Sequence, residues 1–457
     1  MIRLFQKFLM IVLLGACCAP AYAEGWKAGA AKVKITPEKM LWMAGYAART
    51  APAEGTLIDL WAKALVLEDP QGRQIAIVTL DLVGIGRDLT GAIREKLEQK
   101  YQLPQSNTAL CTSHTHCGPV VGSKRRPIYA HLDEQQRRDI ADYADALQEK
   151  VVAVVGEALA NREPAAVTWG SGQATFAVNR RNNKEADVTK LREQGALVGP
   201  VDYDVPVLAV RNGEGELKAV LFGYACHATV LGINQWSGDY PGFAQLALEA
   251  AHPGAVALFW AGCGADQNPL PRREVPLAKQ YGDQLAAAVD RALGAVMRPL
   301  AGELATAYDE IDLPYERLPT RDELQAQLES TNKYEAARAR QLLDQIDGGQ
   351  PLRPTYPYPV QTWRLGRDLR FVLLGGEVVV DYAVRLKAEL GRESTWVASY
   401  TNDVMAYIPS RRVWFEGGYE GGGAMLYTGH PSRWAPEVEE LVIKQVHSQA
   451  EAVNDRP

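Results

Sequence analysis

An α/β fold, with mixed β-sheets flanked by helices in a single large domain, is predicted by three observations. Apolar runs of strand length recur along the chain, stretches with a 3.6-residue apolar period lie between them, and the strand-like runs end in turns rich in Gly and Pro. In order, WAKALVLED, QIAIVTLDLVGI, TALCTSHTH, VPVLAVRN, LKAVLFGYACHAT, AVALFWAGCG and LRFVLLGGEVVV read as strands or strand ends. The apolar run over residues 75–85 and the sequence TALCTSHTH both read as buried strands running out into Gly/Pro, where open α/β sheets commonly place ligands. Residues 137–161, 243–251 and 277–296 have helical periodicity. Residues 321–346, charged and rich in Glu, Gln, Arg and Ala, precede Gly348-Gly349 and read as an exposed helical insertion of about 321–350, with prolines at 351, 354, 357 and 359 marking an extended return to the core. No internal repeat or low-complexity linker is visible, and 47% hydrophobic residues guarantee a sizeable core.

Residues 1–23 read as a secretory signal: Arg3 and Lys7, an apolar run over 8–14, then small residues ending in Ala21-Tyr22-Ala23. Cleavage after Ala23 competes with a lipoprotein box, Leu14-Gly15-Ala16-Cys17, which would leave Cys17 acylated on a membrane surface. No other run approaches the roughly 20 apolar residues of a spanning helix. The expected location is therefore periplasmic, secreted or surface-tethered. Removing 23 of 457 residues leaves 434, residues 24–457, and loses two basic and no acidic groups, so the net charge goes from −6 to −8. Nucleic acid is not an expected partner. Four cysteines remain, Cys111, Cys117, Cys226 and Cys263; export permits a disulfide, strand ends equally suit lone buried thiols, and no CxxC knuckle points to zinc.

The chemistry starts at CTSHTHCGP, where His114 and His116 stand two apart in a chain with seven histidines. Extended backbone would send both rings to one face and make a metal pair possible, whereas a loop could simply satisfy them. His227 follows a strand in GYACHATVLG, and Glu377 sits beside a double glycine in LLGGEVVVDY, where a carboxylate is costly to bury unless paired or metal-bound. In WAGCGADQNPLP, glycines bring Asp266, Gln267 and Asn268 to a turn that could equally cap the next element. Tyr407 and Tyr419 lie on glycine-bearing loops, and Asp239 in SGDYPG and Arg180 and Arg181 in FAVNRRNN read as pocket-border loops or solvated turns. Taken together, the histidines and Glu377 would supply the nitrogen and oxygen ligands of an open catalytic zinc site.

The ordered series AGAAKVKITP, MAGYA, SHTHCGP, VNR, CHAT, SGDYPG, GCGADQNP, GGEVVVDYAVRL, NDVMAYIPS and GGYEGG resembles the catalytic domain of the neutral, non-lysosomal ceramidase family over essentially the whole exported chain. The resemblance implies a zinc-dependent amidase that cleaves ceramide into sphingoid base and fatty acid. It implies that His114, His227, Glu377 and Tyr407 hold Zn2+, that His116 is the non-ligating histidine of HTH, that Arg180 holds substrate oxygen and that Tyr419 lies beside the scissile amide. Two departures bear on the substrate. Gln267 stands where the family's GDVSPN-like block carries serine, and the chain is expected to lack the family's C-terminal β-sandwich domain. The metal ligands are unaffected. In the mechanism expected from this, zinc activates water, Arg180 and Tyr419 stabilise the oxyanion, His116 passes a proton to the leaving amine, and Asp266 either orients His116 or binds a substrate hydroxyl. The alternatives are a zinc amidase or esterase acting on a non-ceramide N-acyl or O-acyl substrate, and a non-catalytic periplasmic binding protein on the same fold; the expected partner is a small-molecule N-acyl or lipid substrate. The sequence is silent on oligomeric state.

Overall fold

The computed structural model describes residues 25–122 and 126–454. The signal segment, its two cut sites and Cys17 lie outside the described residues.

One topology occurs three times along the chain. Each copy is a three-stranded antiparallel meander, a crossover helix, a fourth strand parallel to the third, and a closing helix. The first copy uses strands Lys27–Lys34, Trp61–Glu68 and Gln74–Leu80, helix Arg87–Tyr101, strand Thr108–Thr112 and helix Glu134–Ala160. The second uses Ala166–Gln173, Asp204–Arg211 and Leu217–Tyr224, helix Asp239–Ala251, strand Val256–Ala261 and helix Val275–Gly294. The third uses Leu304–Pro314, Thr355–Leu365 and Leu369–Leu374, helix Val380–Leu390, strand Thr395–Ala398 and helix Val438–Asn454. The second and third strands of each copy close with a short turn, and the parallel fourth strand needs a crossover, whereas the antiparallel first and second strands are joined by a long segment. In the first two copies the same chemistry makes the short turn. Asp69 Oδ1 accepts from the backbone N–H of Gln71 and Arg73 at 2.9 and 2.8 Å, and Asn212 Oδ1 from those of Glu214 and Glu216 at 3.1 and 2.9 Å.

Both faces of the first two sheets are covered, which explains their continuous apolar runs. Ile75 and Ile77 enter a central cluster, while the alternate residues Ala76, Val78 and Leu80 enter another, shared with the flanking helices. The central cluster draws on all three copies: Leu65 and Leu67 from the first, Leu221 and Trp260 from the second, Phe371 and Trp396 from the third. The Trp260 and Phe371 rings are 5.0 Å apart. The C-terminal ends of the fourth strands are tied together by backbone bonds from Thr112 N to Tyr400 O at 3.1 Å, Asn402 N to Leu110 O at 2.8 Å and Ser399 N to Ala261 O at 3.0 Å.

Between Leu304–Pro314 and Thr355–Leu365 the chain forms helices Arg321–Gln327 and Lys333–Asp347, which bury Leu324, Ala339, Leu342 and Leu343 in a cluster of their own. Tyr334 donates to Ala47 O at 2.7 Å and so fastens this pair to the MAGYA loop. Cys111, Cys117, Cys226 and Cys263 are free, buried thiols, and burial pushes the first two up to about 12. Among the described residues no helix is long and apolar enough to cross a membrane.

Candidate metal centre and active site

The strand Thr108–Thr112 ends two residues before His114, whose φ of +59° is left-handed. The two imidazoles therefore do not meet by the alternation of an extended strand. A backbone kink at His114 turns them together, with Nε2 to Nε2 at 3.2 Å and ring planes at 82°. A non-glycine residue in this region is strained, and such strain clusters at functional sites.

His227 arrives from the second copy, after the strand Leu217–Tyr224, and Glu377 and Tyr407 from the third. Glu377 Oε2 lies 3.1 Å from His114 Nε2 and 3.5 Å from His227 Nε2, and the Tyr407 hydroxyl lies 3.3 Å from His227 Nε2. The Nδ1 atoms of His114 and His227 are committed to backbone carbonyls, Val83 O at 2.5 Å and Gly264 O at 2.7 Å. These bonds place the proton on Nδ1 and leave the Nε2 lone pairs facing each other, the usual outer support of metal-binding histidines. Burial, then Arg180, lowers His227 to about 4, so its ring is neutral as a metal requires. Glu377 Oε2 is buried without a hydrogen-bond partner. Two nitrogens, a carboxylate oxygen with no donor and a phenol at one point fit a zinc ion.

His116 joins the same cluster: the ligand atoms of His114, His116 and His227 all lie within 4.8 Å of one another. Burial and the two other histidines lower it well below 6.5, so it is neutral. Its ring packs 4.6 Å from Tyr46, its carbonyl accepts from Arg49 Nη2 at 2.8 Å, and a Cβ built on Gly45 would meet its Nδ1. The MAGYA segment is thus the cradle of His116.

Arg180 reaches the cluster from the loop after Ala166–Gln173. Its Nε donates to Glu420 at 2.7 Å, its Nη1 to Asn268 Oδ1 at 3.3 Å and its Nη2 to the Tyr407 hydroxyl at 3.2 Å. Tyr419 stands at the rim, 48% exposed, its ring 5.2 Å from that of Tyr407. Asp266 does not meet His116. Its carboxylate accepts from Val380 N at 2.9 Å, at the start of helix Val380–Leu390, and from Asn179 Nδ2 at 3.0 Å, and its carbonyl accepts from Arg180 N at 2.9 Å. It acts as a brace between the three loops. Gln267 is fully buried, donates to Pro200 O at 3.3 Å, and keeps its Oε1 unpaired. Asp239 is likewise buried, not a solvated turn; it accepts from Leu231 N at 2.8 Å and Tyr240 N at 2.6 Å and fixes the loop that follows His227.

The family model for neutral/alkaline non-lysosomal ceramidase, N-terminal, matches residues 26–267. The chain belongs to this ceramidase family. It is 32% identical over 119 residues to neutral ceramidase 2 of Arabidopsis thaliana, covering 25% of this chain and 15% of that protein. It is 30% identical over 115 residues to a neutral ceramidase of Drosophila pseudoobscura pseudoobscura, covering 24% and 16%. The matched stretches therefore span less than a fifth of these relatives. Among solved structures, neutral ceramidase from Pseudomonas aeruginosa superposes with a TM-score of 0.72 at 20% identity, over 94% of this chain and 75% of that one. A ceramidase complexed with C2 gives 0.72 at 19%, over 94% and 76%. The predicted mixed α/β fold of neutral-ceramidase type is the observed one.

In this ceramidase-family chain, sequence reasoning missed Gly45, Tyr46, Arg49, Tyr400 and Glu420. Tyr400 stacks 4.3 Å from His114, and Glu420 pins both Arg180 and Arg181. MAGYA and GGYEGG were visible as blocks, but their partners lie far away in sequence. Beside the metal donors, a cleft of about 500 Å³ is lined by Arg180, Arg181, Asn268, Leu270, Arg272 and Tyr419, among others. Charged residues line its wall.

Proposed function

We propose that the chain is an exported, zinc-dependent hydrolase of carboxamide bonds, ceramidase-like in its chemistry. The observation that carries this reading is the convergence of His114 Nε2, His227 Nε2, Glu377 Oε2 and the Tyr407 hydroxyl, with both Nδ1 atoms fixed by carbonyls. These four residues would hold the ion. When bound, zinc polarises a carbonyl and lowers the pKa of water to about 7.

The chain's own residues supply the rest. Arg180, anchored through Nε by Glu420, presents Nη2 beside Tyr407 and donates to the oxygen that becomes negative when water adds to the amide carbon. Tyr419 donates from the rim to the same oxygen. His116, neutral and facing the cluster, accepts a proton from the attacking water and delivers it to the nitrogen as the C–N bond breaks, because an amine leaves poorly unless protonated. The products are a carboxylate and an amine. Asp266 holds the loops of Arg180 and Glu377 in register.

A second reading, a non-ceramide N-acyl substrate, is favoured by the charged residues that line the cleft and by Gln267, since an acyl chain is best held by an apolar groove. The first test is His114→Ala with metal analysis and chelator-sensitive release of amine from N-octanoylsphingosine and from N-acyl amino acids. Joint loss of zinc and turnover is expected; a variant that keeps both would sink the assignment. Release confined to the amino-acid amides would retain the mechanism and discard ceramide.

A further inference from the structure

We infer that the substrate carries a carboxylate, bound in the cleft between Arg272 and Arg180, so that an N-acyl amino acid is the class that fits. This rests on the amide-hydrolase reading above and adds the group that the cleft recognises.

The acceptors in the cleft are already occupied. Glu420, 4% exposed, takes Arg180 Nε at 2.7 Å and Arg181 Nη1 at 2.5 Å. Glu185 takes Arg272 Nε at 3.1 Å and Nη2 at 2.7 Å. Donors remain. Arg272 keeps Nη1, Asn268 keeps its amide nitrogen because only its Oδ1 is engaged by Arg180, and the Tyr419 hydroxyl opens on the rim. A wall that offers N–H and O–H groups and no uncommitted acceptor suits a ligand made of acceptors. Guanidinium with carboxylate is the strongest such pairing.

Charge points the same way. Three guanidiniums, Arg180, Arg181 and Arg272, share the cleft with two carboxylates, Glu185 and Glu420, in a chain of net charge −6. The cleft borders the reacting centre through Arg180. Arg180 joins the two regions directly, since its Nη2 donates to Tyr407 at 3.2 Å and Tyr407 lies 3.3 Å from His227. In an N-acyl α-amino acid the carboxylate carbon is two bonds from the amide nitrogen, which matches this adjacency. Leu270 and the Tyr419 ring are the large apolar groups of the cleft, beside five charged side chains.

The test uses N-octanoylglycine and N-octanoylglycinamide, which differ in the terminal charge, titrated calorimetrically into the full-length protein with and without zinc. The carboxylate should bind about tenfold or more tightly than the carboxamide in both states, and Arg272→Gln should shrink that preference to about threefold or less. Because Arg272→Gln unpairs Glu185, the double variant Arg272→Gln/Glu185→Gln is measured as well and should shrink it equally. Equal binding of the two probes, preference seen only with zinc, or preference retained in both variants overturns the inference. Chelator-sensitive release of amine from the same probes and from N-octanoylsphingosine is scored separately. No turnover on any of them sinks the amide-hydrolase reading, while the calorimetry still decides whether the cleft selects a carboxylate.

Discussion

A Cβ on Gly45 would stand 2.4 Å from His116 Nδ1, and the φ of +95° there is one that side chains rarely adopt. Gly45→Ala must therefore push the imidazole, the loop, or both. Since His116 is outside the proposed ligand set, zinc should remain bound at wild-type stoichiometry while turnover falls by about 10²-fold, the usual result of misplacing a catalytic group by an ångström. Metal analysis beside kcat measures both, and loss of zinc together with turnover would make His116 a ligand. Glu420 is a second position where one group decides the arrangement. Its carboxylate is 4% exposed and neutralises two guanidiniums whose side chains are 20% and 10% exposed. Glu420→Gln leaves them short of a counter-charge, and breaking a buried pair from one side costs about 3–5 kcal/mol. The urea midpoint should fall accordingly, and a midpoint unchanged from wild type would show that Arg180 and Arg181 find other partners.

The segments around residues 399–408 and 425–434 pack two buried titrating groups against Tyr356. His430 accepts at Nδ1 from the Tyr315 hydroxyl at 2.6 Å, and Asp403 accepts from the Tyr356 hydroxyl at 2.6 Å. Burial, then Arg126, lowers His430 from 6.5 to about 4, so its stabilising contribution is complete above 6.5 and is lost as the pH falls toward 4. Burial raises Asp403 from 3.8 to about 6, against Tyr356, Arg87 and Arg126, so its contribution is complete below 3.8 and is lost as the pH rises through 6. Each is worth on the order of 3 kcal/mol, with opposite sign over the same window. Asp403→Asn should therefore steepen the acid loss of stability, and His430→Gln should reverse it, as read from urea midpoints between about pH 7 and about pH 4; parallel profiles in all three proteins would contradict the assignment. This element scale also shows what the sequence made legible. Strands such as Gln74–Leu80 and Leu217–Tyr224 were readable because both faces are buried and the run is mostly apolar. Ala166–Gln173 and Leu304–Pro314 were not, because half of their residues face solvent and carry Gly, Ser, Asp or Glu. The helix Asp239–Ala251 begins earlier than its apolar period, since Asp239 enters it buried and bonded to the previous loop. The pairing of His114 with His116 was legible, but its cause was not: a left-handed histidine is imposed by the Val83 carbonyl and the Tyr400 ring, which come from other segments.

At the scale of the molecule, the threefold topology escaped sequence reading because it lives in strand order, not in residues. Three residues past the end of the third strand stand Val83 in the first copy, His227 in the second and Glu377 in the third, so no shared motif marks them. The same arrangement predicts how metal and fold are coupled. His114 belongs to the first copy, His227 to the second, and Glu377 and Tyr407 to the third, so an ion held by all four ties together segments that the unfolded chain keeps far apart. Binding of the native state alone stabilises it by about 4 kcal/mol when free zinc exceeds its Kd by about 1,000-fold. Chelation should remove that stabilisation, and His227→Ala should abolish the zinc-dependent shift in Tm. It should not break the unfolding into separate steps. The central cluster joins Leu67, Trp260 and Phe371 of the three copies and contains none of the proposed ligands, so calorimetry should show one transition that moves down in temperature and stays single. If chelated protein instead melts in two or three transitions, the copies are independent units and the metal, not the shared core, is what makes them one domain.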